Sequence, residues 1–147
     1  MAKALLVYAT RTGTTKRIAD SIAEGVRSVG VDAEVVDVKS IKSEADLQGY
    51  DAYAFGSATY HGEIMQPMKT MLFISEKADL QGKTGGAFGA YGWSGEAPER
   101  IYNTMKNIFS MDMAGNFLKL KSPGLTLATL KIAQDYGREI GQKIKTN

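Results

Sequence analysis

From Lys3 to Ile144 the chain alternates between short apolar runs and longer stretches that place an apolar residue every third or fourth position. Such switching of period is the pattern of strands joined by crossover helices. Residues 3–9 (KALLVYA) form a buried strand. A helix over 14–29 follows, through Ile18, Ile22, Ala23 and Val26, and Gly30 stops it. Residues 32–38 (DAEVVDV) are β-branched and partly alternating, a second strand, and 43–48 form a short helix or a turn. The third strand covers 51–57. The next helix covers 63–77, with Ile64, Met68, Met71, Leu72 and Ser75 down one face. Residues 84–90 (TGGAFGA) make a strand of small residues, as when a helix or ligand presses close. The helix over 96–109 has Ile101, Met105 and Ile108 as its stripe and Pro98 in its first turn. Residues 116–121 (NFLKLK) alternate like a half-exposed edge strand. A final helix over 125–144 runs through Leu127, Leu130, Ile132, Ala133, Tyr136, Ile140 and Ile144.

Five strands with helices between them imply a parallel sheet covered on both faces, an α/β three-layer sandwich. The edge character of the last strand and the buried character of the first, third and fourth suit the order 2-1-3-4-5. The chain then reverses direction between strands one and three, and ligands in open α/β sheets sit at the carboxyl ends of the strands near such a reversal. With 147 residues and no repeat, low-complexity tract or linker, a single domain over 1–147 is expected.

Composition removes several kinds of chemistry. There is no cysteine, so disulfides, thiolate metal sites, cysteine-held clusters and dithiol redox chemistry are excluded. A lone histidine, His61, makes a metal site improbable. If electrons move through this protein, a bound cofactor carries them. A net charge of +2 is too mild to argue for nucleic acid or for a membrane surface. No apolar run approaches the roughly 20 residues that span a bilayer. The start, MAKALLVYAT, continues into polar TRTGTT without a cleavage pattern, so it reads as a strand and the cytoplasm is the default location.

Three loops, after strands one, three and four, have unusual composition. The first is Thr10-Arg11-Thr12-Gly13-Thr14-Thr15, with hydroxyls and a glycine around a helix start. Free N–H groups at that terminus favour an anion, and Gly13 lets the backbone wrap a phosphate. Gly82-Lys83-Thr84 has the tail of a nucleotide-binding loop, but Lys77 stands where its first glycine belongs, and no GxGxxG occurs. One terminal phosphomonoester fits better than a triphosphate or dinucleotide. The second loop is Ser57-Ala58-Thr59-Tyr60-His61-Gly62 and the third Ala90-Tyr91-Gly92-Trp93-Ser94-Gly95. Aromatics beside glycines at the end of a buried sheet form two walls for a flat ring. A phosphomonoester and a flat redox ring together point to FMN.

At these loops the sequence resembles the flavodoxin family, in particular the flavodoxin domain of flavodiiron proteins (A-type flavoproteins). T-x-T-G-x-T is similar to the family's phosphate loop, GSATYHGEIMQPM to its second loop and FGAYGWSGEA to its third. The resemblance implies a flavodoxin-like sandwich with phosphate contacts from Thr10, Arg11, Thr12, Gly13, Thr14 and Thr15. It implies that Ala58, Thr59, Tyr60, His61 and Gly62 line one side of the FMN ring system. Ala90, Tyr91, Gly92, Trp93 and Gly95 would line the other side. Ala58 stands where the family commonly has proline, and the slightly basic balance departs from the acidic character of many flavodoxins.

The function so implied is a soluble, low-potential electron carrier with no catalytic residue and no metal. Its partners would be redox proteins: a ferredoxin, a rubredoxin, a reductase or a separate diiron oxidase, with neither nucleic acid nor membrane among them. A free-standing monomer is implied as well. Two other readings are weighed beside it. An FMN-dependent quinone or NAD(P)H oxidoreductase would need room beside the flavin for a second flat substrate. A flavin-free interaction module of the phosphoacceptor kind would need carboxylates where Thr10 and Ser57 stand.

Overall fold

A computed structural model describes residues 2–92, 95–121 and 125–145, and only the backbone of Tyr60. Along the chain run β1 (Lys3–Ala9), α1 (Thr14–Ser28), β2 (Asp32–Asp37), β3 (Ala52–Ser57), β4 (Thr59–Tyr60), β5 (Glu63–Ile64), α2 (Gln66–Glu76), β6 (Thr84–Tyr91), α3 (Glu96–Asn107), β7 (Asp112–Met113), β8 (Leu118–Lys121) and α4 (Leu127–Lys145). Two short 3-10 turns, Val38–Ser40 and Glu44–Leu47, connect β2 to β3. In the main sheet β2, β1, β3 and β6 lie side by side, all parallel. Along the outer edge of β6, β7 pairs with Thr84 and Gly85, and β8 with Phe88 to Tyr91. This is the 2-1-3-4-5 order, with the fifth position shared by two short strands.

Side-chain alternation along the strands divides the core in two. Leu5, Val7, Tyr53, Phe55 and Ala87 face α2 and α3, where Met68, Met71, Ile101 and Met105 are fully buried. Ala4, Leu6, Ala54 and Phe88 face α1 and α4, against Ile18, Ile22, Ala133 and Ile140. Strands buried on both faces read as continuous apolar runs, which is why β1 and β3 lack alternation in the sequence.

Four local expectations need correction. The helix expected over 63–77 starts at Gln66, because Glu63 and Ile64 pair antiparallel with Tyr60 and Thr59 in a small hairpin; Pro67 then occupies the first turn of α2. The last strand begins at Leu118 rather than 116, and β7 was not foreseen because two residues leave no periodicity to read. Ile108 is 63% exposed: α3 ends at Asn107, so its 3.6-residue stripe stops at Met105. Leu127 and Ile132 are exposed too. The buried face of α4 is Ala133, Tyr136, Gly137, Ile140, Gly141 and Ile144, which keeps Ala133, Tyr136, Ile140 and Ile144 of the expected stripe.

Between β7 and β8 the chain leaves β6, and Ala87 faces the gap. The Tyr136 hydroxyl closes it from α4, accepting from the Ala87 N–H at 3.0 Å and donating to the Ala87 carbonyl at 3.3 Å. Burial pushes this phenol well above the ordinary tyrosine range, so it stays protonated and can donate. Tyr136→Phe strands a buried donor and acceptor and is expected to cost about 1–3 kcal/mol. Urea unfolding of the two proteins measures it, and a variant as stable as the parent would remove this account of the gap.

Helices α1 and α4 approach until their backbones nearly touch. A Cβ at Gly137 would stand 1.9 Å from the Ile22 carbonyl oxygen, and one at Gly25 would stand 1.9 Å from that of Gln134. Two glycines on facing helices set this distance.

Candidate functional site

Strands β1, β3 and β6 are parallel neighbours, so the loops that follow them emerge together at one edge of the sheet. The register pairs Ala9 with Ser57, and the Ala58 N–H donates to the Ala9 carbonyl at 3.2 Å, carrying the β1–β3 ladder into the second loop. Between the loops lies a cleft of about 130 Å³ lined by Thr10, Arg11, Thr12, Thr14, Thr15, Ala58, Thr59, Ala90, Tyr91 and Gly92. All ten are residues singled out from the sequence. Its volume suits a phosphate with its attached chain rather than a whole drug-sized ligand.

Local conformation explains the first wall. Gly13 caps α1 in the left-handed region at φ 90°, and its N–H donates to Thr10 Oγ1 at 2.9 Å. The glycine gives the helix no side-chain cap, and its first turn contains no acidic residue. The intrahelical ladder opens with the Arg17 N–H donating to the Gly13 carbonyl at 3.1 Å, so the first turn's amides lie above it. Thr12 Oγ1 lies 3.4 Å from Thr14 Oγ1. Thr15 is fully buried, yet its Oγ1 has no hydrogen-bond partner. A buried hydroxyl left alone is costly, and this one lines the cleft. Helix head, glycine cradle and orphan hydroxyl together fit an anionic oxygen cluster.

The second wall is the β4–β5 hairpin. His61 at φ 50° and Gly62 at φ 74° form its two-residue turn. Positive φ at both centres is the type I′ signature, unusual for histidine at the first position. Ser57, buried at the end of β3, anchors the hairpin: its Oγ accepts from the Met65 N–H at 3.1 Å and donates to the Ala58 carbonyl at 2.8 Å. The sequence marked Ser57 only as the start of the loop. A hydroxyl at the end of an otherwise apolar strand was the available signal.

Thr59 does two things. It lines the cleft, and its Oγ1 accepts the Ala97 N–H at 3.1 Å, serving α3 whose own N-cap, Gly95, has no side chain to offer. Glu63 adds a second tie, receiving Arg100 at 3.0 Å and Lys69 at 3.6 Å. On the third wall Lys119 Nζ sits 5.3 Å from the Tyr91 ring centroid. A Cβ on Gly95 would stand 3.0 Å from the Lys119 side chain and 3.3 Å from that ring. Trp93, with Ser94, lies outside the described residues, and so does the Tyr60 side chain. Gly13, His61, Gly62 and Gly95 shape the three loops without lining the cleft.

The sequence matches the profile of the flavodoxin family over residues 6–131. The chain belongs to the flavodoxin family. FMN is the cofactor that membership brings, and the orphan Thr15 hydroxyl at an uncapped helix head fits its phosphate. Among curated relatives, a flavodoxin of Aquifex aeolicus is 40% identical over 70 residues, which is 47% of this chain and 37% of that protein. The chain therefore spans well under half the length of that relative. A solved flavodoxin from the domain Archaea superposes with a TM-score of 0.91 at 33% identity, covering 97% of this chain and 99% of that one. A flavodiiron core from Synechocystis superposes equally well, TM-score 0.91 at 26% identity, over 99% of this chain but only 36% of its own. Among the described residues of this flavodoxin-family chain, no helix is long and apolar enough to cross a membrane.

Proposed function

We propose that this chain binds one FMN without a covalent link and serves as a low-potential electron carrier between redox proteins. The observation that carries this reading is the unpartnered Thr15 hydroxyl, buried in a cleft where the three loops meet. In it, the residues from Thr10 to Thr15 hold the phosphate through helix-head amides and hydroxyls, with Arg11 as counter-charge. Ala58, Thr59, Tyr60, His61 and Gly62 cover one side of the ring system; Ala90, Tyr91, Gly92, Trp93 and Gly95 cover the other. FMN, when bound, supplies the one- and two-electron redox chemistry.

The protein's own part is to bind, orient and exclude water. Ser57 and Thr59 hold the hairpin, and the His61–Gly62 peptide offers its polar groups to the ring edge. Among the described residues, the cleft lining contains one cation, Arg11, and no carboxylate. Charge arriving on reduction is thus opposed less than in an acidic site, an effect that salt reduces. Donor and acceptor on this reading are of the ferredoxin, rubredoxin, reductase or diiron oxidase kind.

The purified protein is expected to be yellow and to release FMN on acid treatment. A colourless protein with no affinity for added FMN would end the proposal. Rapid mixing with NADH and with NADPH then separates carrier from oxidoreductase. A carrier is reduced very slowly without a reductase, whereas prompt bleaching by either nucleotide would assign an enzyme.

A further inference from the structure

On the α2–α3 side of the molecule lies a second concavity, of about 270 Å³, that shares no lining residue with the cleft. Leu72, Phe73, Ile108 and Phe109 make it apolar, and Lys69 and Glu76 stand on its α2 rim. Phe73 is 74% exposed and Ile108 63%. Large apolar side chains so placed, with polar groups around them, mark a surface that meets another molecule. Neither residue is needed for the core, which α2 reaches through Met68, Met71, Leu72 and Ser75.

We propose that this groove is a self-association surface, in which two copies pair their α2 helices head to tail about a twofold axis at the level of Leu72 and Phe73. The charges on the rim select that partner and that orientation. Lys69 and Glu76 are seven residues apart, about 10 Å along the helix, and Leu72 and Phe73 lie midway between them. An axis through the midpoint brings Lys69 onto the partner's Glu76 and Glu76 onto the partner's Lys69, so the surface is complementary to itself. That is the condition a twofold interface must satisfy. A parallel pairing would instead set lysine against lysine. Phe73 then enters the opposing groove, over apolar surface that is otherwise wet.

Lys69 is available for this exchange. Its contact with Glu63 is 3.6 Å and exposed, and Glu63 keeps Arg100 at 3.0 Å when Lys69 turns away. The Lys69 end of the groove then carries two cations to one anion, facing the Glu76 end of the other copy. A shallow groove of about 270 Å³ flanked by exposed charges implies a weak dimer, with a Kd roughly in the micromolar to millimolar range. Such a dimer departs from the monomer implied by the family resemblance.

Sedimentation velocity of the intact protein across about 1 μM to 1 mM tests the proposal, and its readout is mass, not flavin, so it stands or falls separately from the FMN reading. The sedimentation coefficient is expected to rise with concentration. Phe73→Glu is expected to hold the protein monomeric throughout with its melting temperature unchanged, since the ring is mostly in solvent. Glu76→Lys should weaken association by about tenfold or more, because symmetry repeats the like-charge contact. Adding Lys69→Glu to Glu76→Lys should restore it. A concentration-independent monomer would overturn the proposal. So would association that survives Phe73→Glu, or a double reversal that fails to restore it.

Discussion

Replacing Gly137 by alanine should lower the unfolding free energy by about 3 kcal/mol, the upper part of what overpacking a tight contact costs. The sign is the informative part. Glycine inside a helix is ordinarily the weaker choice, and alanine there gains about 0.8–1 kcal/mol from helix propensity. Here the added Cβ would stand 1.9 Å from the Ile22 carbonyl oxygen, 2.8 Å from its carbon and 3.0 Å from the Val26 nitrogen. These are backbone atoms in the middle of α1. No rotamer change can clear them, so α1 and α4 must part along their whole contact. Gly25→Ala should act alike against Gln134. The double variant should cost less than the sum, because helices already parted by one methyl admit the second. Urea unfolding gives all three values. A Gly137→Ala protein as stable as the parent would mean that the helices do not meet this closely.

Thr15→Val is expected to move two quantities in opposite directions. Without ligand, the Thr15 hydroxyl is fully buried and has no partner, so an isosteric methyl should stabilise the apoprotein by about 1 kcal/mol. On the proposed reading, in which the FMN phosphate occupies the cleft, the same hydroxyl would donate to a charged phosphate oxygen. Bonds of that kind contribute about 1.5–3 kcal/mol, so affinity should fall by roughly 10- to 100-fold. Fluorescence titration of FMN into apoprotein measures the second effect, and urea unfolding of the apoprotein the first. Unchanged affinity would place the phosphate elsewhere. A destabilised apoprotein would show that the hydroxyl has a partner after all.

Most of the architecture was legible because β1 and β3 are continuous apolar runs, while α1 and α3 carry apolar residues at helical spacing. The three loops were legible because threonines crowd around a glycine in the first, and aromatics stand beside glycines in the second and third. What escaped the sequence was set by contacts across the fold. Glu63 and Ile64 look like the head of α2, and only pairing with Thr59 and Tyr60 makes them a strand. Ile108 continues the α3 stripe on paper, but α3 stops one residue earlier. Thr59 reads as part of a ring wall, yet it also caps a helix 38 residues away, which no local pattern records. Tyr136 reads as one more apolar position, although its hydroxyl closes the broken edge of the sheet.

The two bonds that run from the hairpin to α3 have a mechanical meaning. With Thr59 holding the Ala97 amide and Glu63 holding Arg100, the second and third loops are a single jaw, not two independent lips. A displacement of α3 is therefore transmitted to the hairpin at two points, Thr59 and Glu63, rather than absorbed between them.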